Sequence, residues 1–280
     1  MQQLVGDLAA LRTHAMTSGD VTGVVTADTA TMAPATDCVL GVVGHLPPAG
    51  EADAHAATLA SSSPEHLWGM KAASPLSARL LSVPTGVNYA VQTLRVQDTP
   101  QFAGPGKTLP GWVDVVASWL GKTYLWNNVR VQGGAYGAFL TPSAVSRQLS
   151  FASYRDPHLE ATLGTYAGTS EWLLTHLPQG QEVTNAIVST IGSIDAPMTP
   201  AARGRLAASR YVRQYTAADV QLRREEVLGT SKEHFQQFAE GIRAAATQAQ
   251  VAAVTSPQMA QHERGAIASR GYAVSILAAT

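Results

Sequence analysis

Large apolar residues recur at helical spacing in several segments of the chain. The strongest pattern covers residues 112–126, where the bulky apolar side chains fall on one helical face: Trp112, Val115, Val116, Trp119, Leu120 and Tyr124. Weaker patterns of the same period predict helices over residues 1–15 and 35–45. Helices are thus predicted near the N-terminus and near the middle of the chain.

Other segments are rich in β-branched residues or alternate between apolar and polar positions, and these predict strands. Residues 21–27 and 87–94 each predict one strand. Residues 135–141 and 145–153 predict two strands joined at Pro142-Ser143. The tail predicts a strand, a helix and a strand over residues 250–254, 257–269 and 272–278.

Helix-start signals separate these segments. Asp156-Pro157 places proline at the first position of a predicted helix. Thr216-x-x-Asp219 and Thr230-x-x-Glu233 resemble capping boxes. Regular alternation of strands and helices after a glycine-rich first turn is absent. The sequence therefore predicts an α+β fold in which helices pack on antiparallel or mixed sheets.

Turn-forming residues interrupt the pattern twice, over residues 46–64 and 81–86. The first stretch is expected to be a surface connection. The second is the predicted domain boundary, which divides the chain into residues 1–82 and 83–280.

Composition excludes several classes of function. The net charge is −1 and charged residues make up 14% of the chain, so there is no basic surface for nucleic acid or an anionic membrane. No apolar run has the length of a transmembrane helix, and the first residues resemble neither a signal nor a transit peptide. The single cysteine, Cys38, excludes an internal disulfide and is expected to be a buried thiol.

Metal ligation within the chain is not expected. The chain has eight histidines, but none forms an i, i+4 pair, and neither H-E-x-x-H nor H-x-x-E-H occurs. Scattered histidines on the surface or in loops explain the pattern.

The segment Gly104-Pro105-Gly106-Lys107-Thr108 resembles the end of a phosphate-binding loop. Gln101 stands where that motif requires glycine, and Pro110-Gly111 would interrupt the helix that must follow. An ordinary loop is favoured. A nucleotide-binding module that uses Lys107 and Thr108 remains a distant alternative.

Residues 129–137 place an arginine, two glycines and a tyrosine close together. Arg130 and Tyr136 can both donate hydrogen bonds to a carbonyl oxygen or an oxyanion. Gly133 and Gly134 lack a Cβ and so let a ligand approach the backbone closely. Spacing alone favours an ordinary turn, with Arg130 at the surface and Tyr136 in the core, but it leaves a binding site open.

Four ordered segments of the chain carry a family resemblance. They are residues 120–137 (LGKTYLWNNVRVQGGAYG), 151–157 (FASYRDP), 191–197 (IGSIDAP) and 223–228 (RREEVL) followed by Thr230-Ser231. Together they resemble the C-terminal half of presequence proteases, which are pitrilysin-like zinc metallopeptidases of the inverzincin type. The similarity is strongest between about residues 87 and 250.

The resemblance implies an architecture of two homologous halves, each built of two α+β domains, that close around a peptide chamber. Residues 1–82 would then end the third pitrilysin-like domain and residues 83–280 would form the fourth. The zinc ligands and the catalytic glutamate belong to the N-terminal half. The C-terminal half supplies an arginine and a tyrosine to the chamber, which here are Arg130 and Tyr136, and the neighbouring Gly133 and Gly134 would leave room for the substrate backbone.

The resemblance also implies a function. It predicts part of a zinc metalloendopeptidase that degrades targeting peptides and other short unfolded peptides in the mitochondrial matrix or the chloroplast stroma. Zinc would be bound by residues outside this chain, which lacks H-x-x-E-H and is not expected to be active alone. The missing catalytic half would belong to the same polypeptide or to a separate subunit. The alternative is a non-catalytic scaffold subunit that contributes chamber wall only.

Overall fold

The computed structural model describes residues 3–6, 8, 21–46, 76–106 and 108–278. The chain falls into two compact units, one comprising residues 1–72 and 197–216 and the other comprising residues 73–196 and 217–280. The described helices and strands follow in chain order: α1 (Met32–Gly44), β1 (Ser77–Ser82), β2 (Asn88–Arg95), a 3₁₀ turn (Pro100–Phe102), α2 (Trp112–Leu120), a π-helix (Gly121–Gln132), β3 (Gly137–Ser143), β4 (Gln148–Asp156), α3 (Leu159–Thr175), α4 (Gln181–Ile194), α5 (Pro200–Val212), α6 (Ala217–Leu228), α7 (Lys232–Ala245), a 3₁₀ turn (Ala246–Gln248), β5 (Gln250–Thr255), α8 (Pro257–Ser269) and β6 (Ala273–Ala278).

The smaller unit contains α1 and α5. Helix α1 confirms the helix predicted over residues 35–45, and the predicted helix over residues 1–15 is helical at the described positions 3–6 and 8. The strand predicted over residues 21–27 is wrong: the segment has no regular structure, because the described part of this unit offers no strand for it to pair with. Cys38 is exposed, so the prediction of a buried thiol is also wrong; α1 has no buried residue.

The larger unit is built on a six-stranded sheet with the order β3-β4-β2-β5-β1-β6. The neighbouring strands β3, β4, β2 and β5 pair antiparallel with one another. Strand β1 lies between β5 and β6 and is parallel to both. Helix α8 connects β5 to β6, as the sequence of the tail predicts. The predicted α+β class with a mixed sheet is confirmed.

Strand β1 precedes the predicted boundary at residues 82 and 83, yet it belongs to the sheet of the larger unit. Its six residues pair with β5 on one side and β6 on the other. The assignment of residues 1–82 and 83–280 to the third and fourth domains of a longer enzyme stays a prediction. The predicted connection over residues 46–64 lies outside the described residues apart from Leu46.

One face of the sheet carries the core. Along β2, Ala90 and Leu94 are buried while Tyr89 and Val91 are exposed. The alternation continues in β3 to β5, and α2, α3 and α7 pack on the buried side. Because successive side chains of a strand point to opposite faces, the other face presents exposed apolar side chains: Leu81, Tyr89, Val91, Phe139, Tyr154 and Leu277.

Local signals misplace three boundaries by a few residues. The turn between β3 and β4 covers residues 144–147, so Pro142 lies within β3. Helix α7 is capped by Ser231, whose backbone N–H donates to Nδ1 of His234 over 3.0 Å. Thr230 instead donates its hydroxyl to the carbonyl of Val227 at the end of α6. Helix α3 begins at Leu159, because Asp156 ends β4 and accepts the N–H of His158.

A partly buried carboxylate in α8 makes the stability of the larger unit depend on pH. Glu263 has one carboxylate oxygen, Oε2, that is fully buried and accepts no hydrogen bond from a described residue. Burial raises the pKa of Glu263 above its ordinary value of 4.5; the backbone N–H of Glu160 opposes this rise, and the carboxylate of Asp156 adds to it. The ionised form therefore destabilises the folded state at neutral pH, and this cost disappears as the pH falls towards 4.5.

Replacing Glu263 with glutamine is expected to raise the melting temperature near neutral pH by about 1–2 °C. The gain should shrink as the pH is lowered and the original carboxyl group becomes protonated. Thermal unfolding followed by circular dichroism from about pH 8 to pH 4.5 measures this difference. Glu171→Gln, at an exposed position of α3, removes the same charge and should give no such pH-dependent gain. A gain that is equal at both ends of the pH range contradicts the explanation.

Candidate functional site

Arg130 lies in the last turn of the π-helix rather than in a glycine-rich turn. The helix predicted over residues 112–126 is confirmed, and it continues as the π-helix to Gln132. Two hydrogen bonds and one buried side chain, that of Val129, fix this extension. Asn128 donates its side-chain amide to the carbonyl of Tyr124 (2.8 Å), and the Tyr124 hydroxyl donates to the carbonyl of Thr165 (2.9 Å). π-helical segments are rare and often lie at functional sites.

The two glycines that follow are required by the backbone itself. A Cβ at Gly133 would lie 2.6 Å from the carbonyl oxygen of Val129, which is far inside van der Waals contact. Gly134 has φ of +76°, a conformation that glycine adopts without the steric cost of a Cβ. The structure therefore gives both glycines a local reason, and their predicted contact with a substrate backbone stays a prediction.

Tyr136 is exposed and lies beside Arg130. The residue is 64% exposed, which contradicts the interpretation of the segment as an ordinary turn with Tyr136 in the core. Its backbone N–H donates to the carbonyl of Tyr154 over 3.0 Å, so the residue is tied to β4. The guanidinium of Arg130 donates to the carbonyl oxygen of Tyr136.

Arg130 is held between two aromatic rings. Its guanidinium carbon lies 4.5 Å from the ring centre of Trp126 and 5.4 Å from that of Tyr136. Cation–π contacts of this kind hold an arginine in one orientation without using up its N–H groups. The fold thus brings together the two donors that the sequence predicts. The remaining guanidinium N–H groups of Arg130 and the hydroxyl of Tyr136 can bind a carbonyl or an oxyanion.

A third residue of the site, Arg155, was not predicted as a site residue. Asn88 pairs with Asp156 and Ala90 pairs with Ser153, so β4 has one more residue in this interval than β2. The extra residue forms a β-bulge at Arg155, whose φ is +50°. The bulge exposes Arg155 and turns Asp156 into the core. If β4 alternated strictly, the charged side chain of Arg155 would point into the core. This conflict between charge and alternation was the feature of the sequence that could have indicated the bulge.

The residues around the bulge enclose a shallow, open depression of about 410 Å³, lined by Val87, Arg130, Val131, Gly134, Ala135, Tyr136 and Arg155. None of the described residues that line the depression is acidic. Next to the depression, the exposed rings of Tyr136, Tyr154 and Tyr89 form a row, with edge-to-face contacts of 5.7 and 5.4 Å between ring centres. The site is thus cationic at the depression and aromatic along the neighbouring strands.

Among the described residues, no group of three or more histidine, cysteine, aspartate or glutamate side chains is placed to hold a metal ion. The side chains of the described residues are therefore not arranged as a set of zinc ligands. The segment that resembles a phosphate-binding loop has no helix starting at its described residues; α2 begins only at Trp112. In the same described ranges, no helix has the length and apolar character needed to cross a membrane.

Residues 78–257 match the model of the PreP C-terminal domain. The chain belongs to this family. The family model covers the sheet except β6 and Ser77, the first residue of β1, and it covers every residue of the candidate site. The resemblance to presequence proteases that the sequence motifs indicate is thereby confirmed.

Among characterised relatives, the chain is similar to presequence protease 1, chloroplastic/mitochondrial, of Arabidopsis thaliana, with 36% identity over 60% of the chain and 15% of that protein. The matches cover between 14% and 16% of the length of the first curated relatives. Membership of the family is shown; the activity of a whole protease does not follow from so short a match.

Solved structures of other proteins share the fold. A protease from Helicobacter pylori superposes with a TM-score of 0.56 and 12% identity, over 83% of this chain and 54% of that one. The peptidase M16 inactive domain from Pseudomonas fluorescens superposes with a TM-score of 0.52 and 13% identity, over 79% and 50%. At such low identity these likenesses show the fold alone.

Proposed function

We propose that this chain is the C-terminal, non-zinc-binding part of a zinc metalloendopeptidase of the presequence-protease type, which degrades targeting peptides and other short unfolded peptides. Membership of the PreP C-terminal domain family supports this function. The observation that carries it in this chain is the pairing of Arg130 and Tyr136, two hydrogen-bond donors held next to each other on an open surface.

The proposed role of these two residues is to bind the peptide and to stabilise the transition state of its hydrolysis. As a carbonyl carbon becomes tetrahedral, negative charge develops on its oxygen, and fixed donors stabilise that charge more than they stabilise the planar substrate. Arg130 supplies a permanent charge, and Tyr136 supplies a neutral hydroxyl donor. Zinc, bound in this proposal by residues outside the chain, would supply an activated water.

The exposed face of the sheet gives the proposed peptide a surface to lie on. An unfolded peptide presents apolar side chains that a folded protein buries, and the aromatic row beside Tyr136 is apolar and exposed. The proposed compartment is the mitochondrial matrix or the chloroplast stroma, supported by the name of the Arabidopsis relative, which is chloroplastic/mitochondrial.

The test combines the chain with a zinc-binding half, either in one polypeptide or as two co-expressed chains. A fluorescent targeting peptide and a stably folded protein serve as substrates. We expect hydrolysis of the peptide only, only when both parts are present, and none after treatment with a zinc chelator. If the zinc-binding half hydrolyses the peptide equally well without this chain, the proposal is overturned. If the chain is required but substitution of both Arg130 and Tyr136 changes nothing, the scaffold alternative holds instead.

A further inference from the structure

The bulge in β4 places a second arginine beside Arg130, on the same depression. We propose that the depression between Arg130 and Arg155 is a carboxylate-binding site that recognises an acidic group of the peptide. This inference deepens the proposed function and rests on it, since it names the chemistry by which the substrate is held. The carboxylate can come from the C-terminus of the peptide or from an aspartate or glutamate side chain.

The charges around the depression favour an anion. Arg155 is exposed and makes no ion pair or side-chain hydrogen bond with another described residue. Arg130 donates to the carbonyl of Tyr136 and has further N–H groups for a ligand. The described lining residues contribute two guanidinium groups and no carboxylate, so a bound anion would meet attraction from both arginines.

The backbone at Arg155 supports a role in binding rather than in packing. A second arginine, Arg147, also has a φ of +50°, but its guanidinium donates to the carbonyl of Phe102 over 3.0 Å and so stabilises a loop. Arg155 adopts the same uncommon conformation, and this exposed residue lines the depression. Non-glycine residues in the left-handed region carry a steric cost, and no ion pair or hydrogen bond between the Arg155 side chain and another described residue offsets it.

A carboxylate fits the guanidinium of Arg155 better than a neutral carbonyl does, and the positive charge of Arg130 adds attraction while its own N–H groups stay available to the reacting carbonyl. The two oxygens of a carboxylate accept parallel hydrogen bonds from a guanidinium, which gives both charge compensation and a defined orientation. The same two cations disfavour a lysine or arginine of the peptide at this position. A basic targeting peptide would therefore place its C-terminal carboxylate, or a rare acidic side chain, in the depression.

The first experiment measures binding to the 280-residue chain by fluorescence anisotropy. The labelled probes are one unfolded peptide with a free C-terminal carboxylate, the same peptide as a C-terminal amide, and a version with an internal glutamate replaced by glutamine. Arg155→Asn is the test variant because asparagine tolerates a left-handed backbone. Arg95→Asn, which removes an exposed arginine at the far end of β2, is the matched control.

We expect Arg155→Asn to weaken binding of the free-acid peptide about tenfold, which is the loss of one charge-assisted contact. Arg155→Lys should keep part of the affinity. If Arg155→Asn does not weaken binding of the C-terminal amide, the ligand is the C-terminal carboxylate. If it does not weaken binding of the glutamine version, the ligand is the glutamate side chain. Equal small effects of Arg155→Asn and Arg95→Asn, or no binding by the unsubstituted chain, overturn the site.

Kinetics in the complete protease separate this inference from the proposed function. If the complete protease is active and Arg155→Asn leaves its KM for the free-acid peptide unchanged, the proposed function stands and the carboxylate site is overturned. A complete protein without peptidase activity overturns the proposed function, while the anisotropy ratios still decide whether the depression binds a carboxylate.

Discussion

Replacing Arg130 with alanine in the complete protease is expected to lower kcat/KM for an unfolded peptide by about 10²–10³-fold, the usual cost of removing a donor to a transition-state oxyanion. Tyr136→Phe should cost about 10²-fold, because it removes only the hydroxyl and keeps the ring that packs against Arg130 and Tyr154. Steady-state hydrolysis of a fluorescent peptide measures both effects. The loss should fall mainly on kcat, since the proposed contact strengthens in the transition state.

Tyr154→Phe is the matched control for the tyrosine. Tyr154 is exposed on the same face, and its ring contacts that of Tyr136, but it does not line the depression. Its hydroxyl should therefore be dispensable. Because both donors are proposed to act on the same developing oxyanion, the double variant should lose less than the product of the two single losses. If both single variants keep the original kcat/KM, the roles assigned to Arg130 and Tyr136 are wrong.

Gly133→Ala is expected to destabilise the larger unit by about 2–3 kcal/mol, at the upper end of the cost of overpacking, because the added Cβ meets backbone rather than a flexible side chain. The nearest atoms, the carbonyl oxygens of Val129 and Asn128, would lie only 2.6 and 2.9 Å from that Cβ. Relief requires the last turn of the π-helix to move, and with it Arg130. We therefore expect a loss of kcat/KM in the complete protease as well as a lower melting temperature.

Gly121→Ala provides the opposite expectation in the same helical segment. No atom lies within 4 Å of a Cβ built at Gly121, and its backbone is helical. Alanine there should stabilise the fold by about 0.5–1 kcal/mol, because it restricts the unfolded chain. Denaturant unfolding of the two variants measures both signs. A Gly133→Ala variant as stable as the unsubstituted chain would show that this turn is not crowded.

Local sequence patterns were sufficient to predict an element wherever its apolar spacing recurs over several residues. The tail was predicted as strand, helix and strand, and β5, α8 and β6 lie within two residues of those limits. Strand β2 and helix α2 were also found, because alternation in β2 and helical spacing in α2 follow directly from the face that each buries. The same patterns fail at residues 21–27, where β-branched residues occur without a partner strand among the described residues of that unit.

Long-range pairing explains why β1 was not predicted. Its residues, 77–82, overlap a stretch that was read as a boundary, and their extended form depends on two neighbouring strands near the C-terminus. The bulge at Arg155 has a similar origin, since it is defined only by the register between β2 and β4. Neither is a property of a short window of sequence.

Residue types and their spacing were enough to predict the fold class and most helices and strands. The family, and with it the prediction of Arg130 and Tyr136 as donors, came from the resemblance of four ordered motifs, since spacing alone favours an ordinary turn at residues 129–137. Only the tertiary structure decided that Tyr136 is exposed, that the π-helix and Gly133 hold Arg130 beside it, and that Arg155 joins them. The physical reason is that spacing fixes which face of an element a residue occupies. Contacts between distant elements fix whether that face is covered and what lies next to it.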